Sequence, residues 1–232
     1  MRVLIIGVAL AITTSQMAWA GTISQKEADR IKEATTALTE IHATPDKDVP
    51  QELWENAQCV IVIPGLKKAA FGIGGEYGRG LMSCRHEGQW SAPVFMEMEK
   101  GSWGFQIGAQ SIDLVLLAMN KSGVEKLLNN KVSLGAEASV AAGPVGRDAR
   151  AATDAQLKAE ILSYSRTQGL FAGVDVSGGV LKADTEANRD LYGKDISPRD
   201  VVMGTSVKPP SSAQMFVNAL RREGVATTGV KK

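Results

Sequence analysis

The chain has 232 residues, with 26 basic and 25 acidic side chains and a formal net charge of +1. Such a balance provides no global field to draw it onto nucleic acid or anionic lipid, so any electrostatic contact must come from a local patch. The length suits one well-buried domain, or one domain with an appended helix, and two cysteines are too few for a disulfide scaffold.

Residues 1–20 read as a signal peptide. Arg2 gives a positive start, residues 3–12 are apolar, and Ala18-Trp19-Ala20 is a small-x-small cleavage site. The run is too short to span a bilayer. No cysteine follows Ala20 to carry a lipid anchor, since the first is Cys59. The expectation is a soluble, exported protein, periplasmic or secreted. Residues 21–47 would then be an N-terminal helix and loop, 48–224 one α+β domain with a C-terminal helix, and 225–232 a frayed tail.

Residues 24–42 predict a helix. Ser24 and Glu27 form a capping box, and Ile31, Ala34, Leu38 and Ile41 fall on one stripe. The polar face mixes Lys26, Arg30 and Lys32 with Asp29, Glu33 and Glu40. That mixture fits a helix packed on its own domain better than a basic membrane-surface helix. A polar loop and a short helix at 51–57 follow. Residues 58–63 are a buried strand that Pro64-Gly65 should stop, leaving Lys67 and Lys68 in its exit loop.

From 70 to 84 the residues alternate, with Phe71, Ile73, Tyr77 and Leu81 on one face and Gly72, Gly74, Gly78 and Gly80 on the other. A bare strand face lets another backbone or a ring approach closely. Strands at 90–98 and 103–119, with a turn at Lys100-Gly101-Ser102, complete an antiparallel meander. Cys59 and Cys84 sit in neighbouring strands, where a disulfide and two buried thiols both fit the spacing.

Ser122 and Glu125 open a short helix. Strands follow at 131–142, 159–166 and 170–181, then helices at 184–192, 197–204 and 212–223. The fold class is α+β: a curved antiparallel sheet, barrel or half-barrel, flanked by short helices and by N- and C-terminal helices.

Catalytic signatures are missing. The glycine ladder fails the dinucleotide fingerprint because Tyr77 occupies its last glycine position, and no helix follows. His42 and His86 have no partners at metal-ligand spacing, and there is no serine-hydrolase elbow. No catalytic residue, metal or cofactor is therefore assigned. Arg147, after the tight turn Gly143-Pro144-Val145-Gly146, is placed either to hold a phosphate or to form a structural ion pair.

Several ordered strings carry a resemblance: QWSAPVF (89–95), WGFQIGAQSIDLVLLAMN (103–120), LGAEASVAAGPVGR (134–147), YSRTQGLFAGVDVSGGVL (164–181) and NRDLYG (188–193). From about residue 50 to 204 the chain resembles the SYLF-domain family of bacterial exported proteins and eukaryotic lipid-binding and actin-regulating proteins. The resemblance implies a lipid-binding domain without catalytic residues. Eukaryotic members bind phosphoinositides, fungal ones bundle actin, and a basic N-terminal helix aids membrane engagement. The mixed-charge helix at 24–42 departs from that pattern, and a bacterial envelope lacks actin.

The expectation is a non-catalytic, membrane-associated module contacting phospholipid head groups or acyl chains. Lys67, Lys68 and Arg147 would be the phosphate contacts and Phe71, Trp90 and Trp103 the apolar insertions, core packing being the alternative for both tryptophans. Its rivals are an envelope-protein scaffold and a small hydrophobic ligand carrier whose cavity borders the glycine face.

Overall fold

One glycine-rich strand that folds back over itself sets the architecture. β1 (Cys59–His86) runs 28 residues, and β3 (Val94–Ala118) follows it antiparallel from Cys59↔Ala118 to Met82↔Val94. β2 (Gln89–Trp90) closes the hairpin through Glu87 and Gly88, whose φ values of 50° and 80° match the strand twist. The computed structural model describes residues 23–40, 49–129, 131–146, 156, 158–167, 170–193, 196–204 and 207–223, with backbone alone at 70–73 and 102–109. The expected signal peptide, His42 and the tail lie outside the described residues.

Pro64-Gly65 does not stop the strand. The register slips between Ile63 and Leu66, Gly65 takes φ 58°, and its N–H donates to Asp113 Oδ1 at 2.9 Å. A bulge absorbs a proline that has no N–H for the ladder. It also reverses the facing of the chain. Ile61 and Ile63 before it, and Leu66, Met82 and Cys84 after it, belong to one core, whereas Val60, Val62 and Leu81 belong to the other. Lys67 and Lys68 are consequently strand residues. Lys100-Gly101-Ser102 is no turn either, because Glu76, Gly75 and Gly74 pair with it and keep the ladder continuous.

β3 acquires a second partner at each end. β6 (Ile161–Thr167) lies beside 113–118, and β8 (Gly179–Ala183) beside 96–100. β4 (Lys131–Ser133) adds to β8, while β5 (Val140–Ala142) and β7 (Leu170–Gly173) join β6, the former parallel. The strands expected at 131–142 and 170–181 are each two shorter ones, parted by turns that use Gly135 (φ 85°) and Gly178 (φ 81°). The result is an eight-stranded, curled half-barrel of the α+β class.

Its two faces bury separate cores. α1 (Gln25–Thr39) places Ile31, Ala34, Ala37 and Leu38 on the outer face, beside Phe216, Val217 and Leu220 of α6 (Gln214–Glu223). Trp54 of α2 (Gln51–Asn56) joins them, as do Ala187 and Leu191 of α4 (Thr185–Tyr192). The inner core holds Met96, Met98, Leu114, Leu116 and Leu181, with Val201 and Val202 of α5 (Pro198–Met203). α1 thus spends its apolar stripe within its own domain, and both hydrogen bonds of the Ser24–Glu27 box are present.

The fold-over is made possible by glycine. A Cβ at Gly80 would lie 1.9 Å from Val62 O and 2.8 Å from Ile63 Cα, so two passes of the same strand are in backbone contact there. Cys59 and Cys84, joined as a disulfide, clasp these passes from the inner face. They share one strand instead of occupying neighbours. Arg85 N–H also donates to Gln58 O at 2.6 Å.

α3 (Lys121–Leu127) is tied to the sheet by Glu160. Asn120 Oδ1, and not Ser122, caps this helix, accepting from Gly123 N–H at 2.9 Å. The Ser122 hydroxyl donates instead to Glu160, as do Lys126 Nζ to both carboxylate oxygens at 2.7 Å and Ser139 N–H at 2.8 Å. Burial alone would push this carboxyl up, but these donors outweigh it and hold the pKa at about 2.

Two outcomes are expected. Gly80→Ala forces backbone apart and should cost at least about 3 kcal/mol, whereas Gly101→Ala, with nothing within 4 Å, should shift the urea midpoint little. The Glu160 contribution is complete above the unfolded value of 4.5 and is lost as pH falls through about 2. Urea titrations should therefore show Glu160→Gln weakening the protein at pH 6 and flattening the acid loss of stability between those values.

Candidate functional site

Between residues 100 and 113, β3 pairs with β1 alone among the described residues. That two-stranded segment turns back on itself as an arm. A Cβ at Gly78 would lie 2.5 Å from Ile63 Cγ2 and 2.7 Å from Leu66 Cδ1, so the strand returns to its own starting point. Lys68 Nζ reaches across the fold to Glu76 Oε1 at 3.3 Å. Residues 67–77 therefore run out and back, which limits the reach to roughly 15–18 Å at about 3.3 Å per residue. Phe71 pairs with Ile107 but Ile73 with Trp103, so extra β3 residues mark the apex. A bulge of this kind bends a ribbon.

The composition of the arm is uneven. Residues 69–75 and 101–110 carry no ionisable side chain, yet they include Phe71, Ile73, Trp103, Phe105 and Ile107. Charge gathers at the base. Lys67 is exposed, and Arg79 donates through Nε to the Tyr77 hydroxyl, which raises the guanidinium pKa further. Lys182 Nζ donates to Glu99 Oε1 at 2.8 Å.

The residues singled out from sequence are only partly brought together. Lys67 and Lys68 are consecutive in a strand and so face opposite sides of the ribbon. Lys67 is solvent-facing, whereas Lys68 is half-buried and paired with Glu76. Phe71 and Trp103 lie in the arm by backbone register, but their side chains are outside the described residues, as is Arg147 entirely. Trp90 is a packing residue, not a surface insertion. It is 6% exposed in the outer core, with the Arg85 guanidinium 4.6 Å above its ring. Nor does the glycine face border a cavity at Gly78 and Gly80, because Val62, Ile63 and Leu66 fill it.

Two polar tethers hold α1 beside the arm, and neither was legible as a pair. Arg30 Nη1 donates to Asp184 Oδ2 at 2.9 Å in a nearly dry setting, and its guanidinium lies 4.9 Å from the Phe95 ring centroid. Asp184 also caps α4, accepting from Ala187 N–H at 3.2 Å, and Arg79 Nε approaches to 3.9 Å. Helical counting puts Arg30 on the polar face, and nothing local points to a partner 154 residues away. In the second tether Arg166 bridges Asp113 and Glu40. Burial raises the Asp113 pKa against the opposing Gly65 N–H, and burial lowers that of Arg166. Among the described residues there is no group of three His, Cys, Asp or Glu fit to hold a metal, and no helix is long and apolar enough to cross a membrane.

Residues 99–223, from one limb of the arm to the end of α6, match the family model Ysc84, described as "Las17-binding protein actin regulator". An SH3 domain-containing protein of Schizosaccharomyces pombe is 35% identical over 172 residues, covering 72% of this chain and 40% of the relative. LAS seventeen-binding protein 3 of Saccharomyces cerevisiae is 33% identical over 175 residues, 74% of this chain and 38% of its own. Human SH3 domain-containing YSC84-like protein 1 is 30% identical over 193 residues, 82% and 56%. The chain thus spans between 38% and 56% of the length of these curated relatives.

Removing Asp184 would leave Arg30 buried without its carboxylate and α4 without its cap. Asp184→Ala should cost about 3–5 kcal/mol by urea denaturation, and Asp184→Asn, which keeps a cap acceptor, distinctly less.

Proposed function

The chain belongs to the Ysc84, or SYLF-domain, family, and on that premise we propose that it is a non-catalytic module whose β-arm meets the surface of an anionic membrane. The observation that carries this reading is the arm itself: a folded ribbon whose apex is free of charge and rich in aromatic residues, with the exposed Lys67 near its base. Tryptophan and phenylalanine favour the boundary between head groups and acyl chains. A basic residue beside an anionic leaflet contributes about 1 kcal/mol and is screened within a Debye length.

The backbone limits how deep such an arm can go. Both edges of a two-stranded ribbon leave N–H and C=O groups without partners, and hydrocarbon cannot satisfy them. Contact is therefore at head-group depth, with side chains alone reaching further. α1 does not supply a second membrane face, since its apolar stripe is buried. The signal-like residues 1–20 support export, which would make the target an envelope lipid.

A protein-binding reading is favoured by a separate observation. LAS seventeen-binding protein 3 bears the name of a protein partner, and the unpaired arm edges suit the addition of a strand from another chain.

Sedimentation with phosphatidylglycerol–phosphatidylcholine vesicles at low salt tests the first reading against phosphatidylcholine alone. Selective binding to the anionic vesicles is expected, weakened about tenfold in Trp103→Ala/Phe105→Ala and roughly fivefold in Lys67→Glu. Failure to bind either vesicle would overturn it, and cross-linked protein adducts surviving detergent would then favour the second.

A further inference from the structure

A second surface feature lies away from the arm, where the β1–β2 turn meets the segment between α5 and α6. His86, Trp90, Val207, Lys208, Pro209 and Arg221 line a cleft of about 390 Å³. Among the described residues of its lining the one carboxylate is Glu87, whose side chain is 81% exposed and 3.8 Å from His86 Nε2.

The cleft holds two cations without a counter-charge among the described residues. At other clefts Arg30 is tied to Asp184, Arg166 to Asp113 and Glu40, and Arg199 to Glu125, while Lys26 and Lys32 make no ion pair among the described residues. Lys208 and Arg221 make no ion pair or side-chain hydrogen bond among the described residues. Behind them Arg85 lies over the Trp90 ring, its Nη1 donating to Glu55 O at 2.9 Å and its Nε buried without a hydrogen-bond partner. Two cationic side chains thus line the cleft with Trp90 and a third lies over its ring, in a chain whose total charge is close to zero. Val207 and Pro209, on either side of Lys208 in the chain, add apolar surface to the lining.

We propose that this cleft binds a small amphiphilic oxyanion, with Lys208 and Arg221 holding a phosphate-ester group and the Val207–Pro209 wall receiving the adjoining apolar part. A guanidinium offers two parallel donors to such a group, and an ammonium adds a mobile third. The His86 ring supplies a further donor at the rim. This site does not depend on the arm, and its ligand is either a soluble phosphate ester or the head group of a lipid.

Phenyl phosphate, with phenol as the neutral control, is the probe, followed through the Trp90 indole resonance in the full chain. Saturable shifts are expected with phenyl phosphate alone, weakened at least tenfold in Lys208→Ala/Arg221→Ala. Lys121→Ala/Lys131→Ala, which removes equal charge elsewhere, should behave as wild type. An equal response to phenol, or unchanged affinity in the cleft variant, overturns the site. Phosphatidylglycerol vesicles then separate the sources. Loss of phenyl phosphate and vesicle binding together assigns a lipid head group, and loss of phenyl phosphate alone assigns a soluble ester. Vesicle binding that is absent in wild type while phenyl phosphate still binds refutes the arm and leaves the cleft standing.

Discussion

The contact of β1 with itself at Gly78 and Gly80 is the constraint on which the molecule is built. Two passes of one strand meet with a backbone oxygen where any side chain would stand. Backbone packing this close is open only to glycine. It brings Cys59 to Cys84, separates an inner from an outer core, and leaves residues 67–77 nowhere to go except outward and back. The Pro64-Gly65 bulge is the second half of the device, since without its parity change the strand would present its apolar residues to the wrong side after the crossing.

Ionic contacts then fix what the glycines permit. Arg30 is enclosed by Asp184 and Phe95, so α1 is registered on the sheet by a directional contact as well as by its apolar stripe. Buried pairs are weak evidence for net stability but strong determinants of geometry once made. The Arg166 bridge repeats the arrangement at the far end of α1, next to the bulge. Ion pairs of this kind occupy Arg30, Lys68, Lys126, Arg166, Lys182 and Arg199. Lys67 at the base of the arm and Lys208 and Arg221 beside Trp90 are among the described cations left without a carboxylate, and there external anions have an opening.

Local patterns were readable where the physics is local. The Ser24 box was visible as residue spacing and is present as such, and the helices expected at 184–192 and 197–204 form as Thr185–Tyr192 and Pro198–Met203. The glycine face was legible as a site of close approach, but its occupant was not. Pro64-Gly65 and Lys100-Gly101-Ser102 carried turn chemistry that strand pairing overrode, the first absorbed as a bulge between paired Ile63 and Leu66 and the second paired continuously with Gly74, Gly75 and Glu76. Of the residues singled out for lipid contact, Lys67, Phe71 and Trp103 share the arm. Lys68 is drawn inward by Glu76, and Trp90 is covered by Arg85.

By itself, then, the sequence determined the α+β class, the order of its helices, the family and the alternation that leaves one strand face bare. These follow from nearest-neighbour sterics and short-range capping. Only the tertiary structure decided that β1 crosses its own path, that its two cysteines share one strand, and that Arg30 answers to Asp184. Those facts depend on residues far apart in the chain meeting in space, where a missing side chain or a buried charge can be matched by any of many partners until the fold selects one.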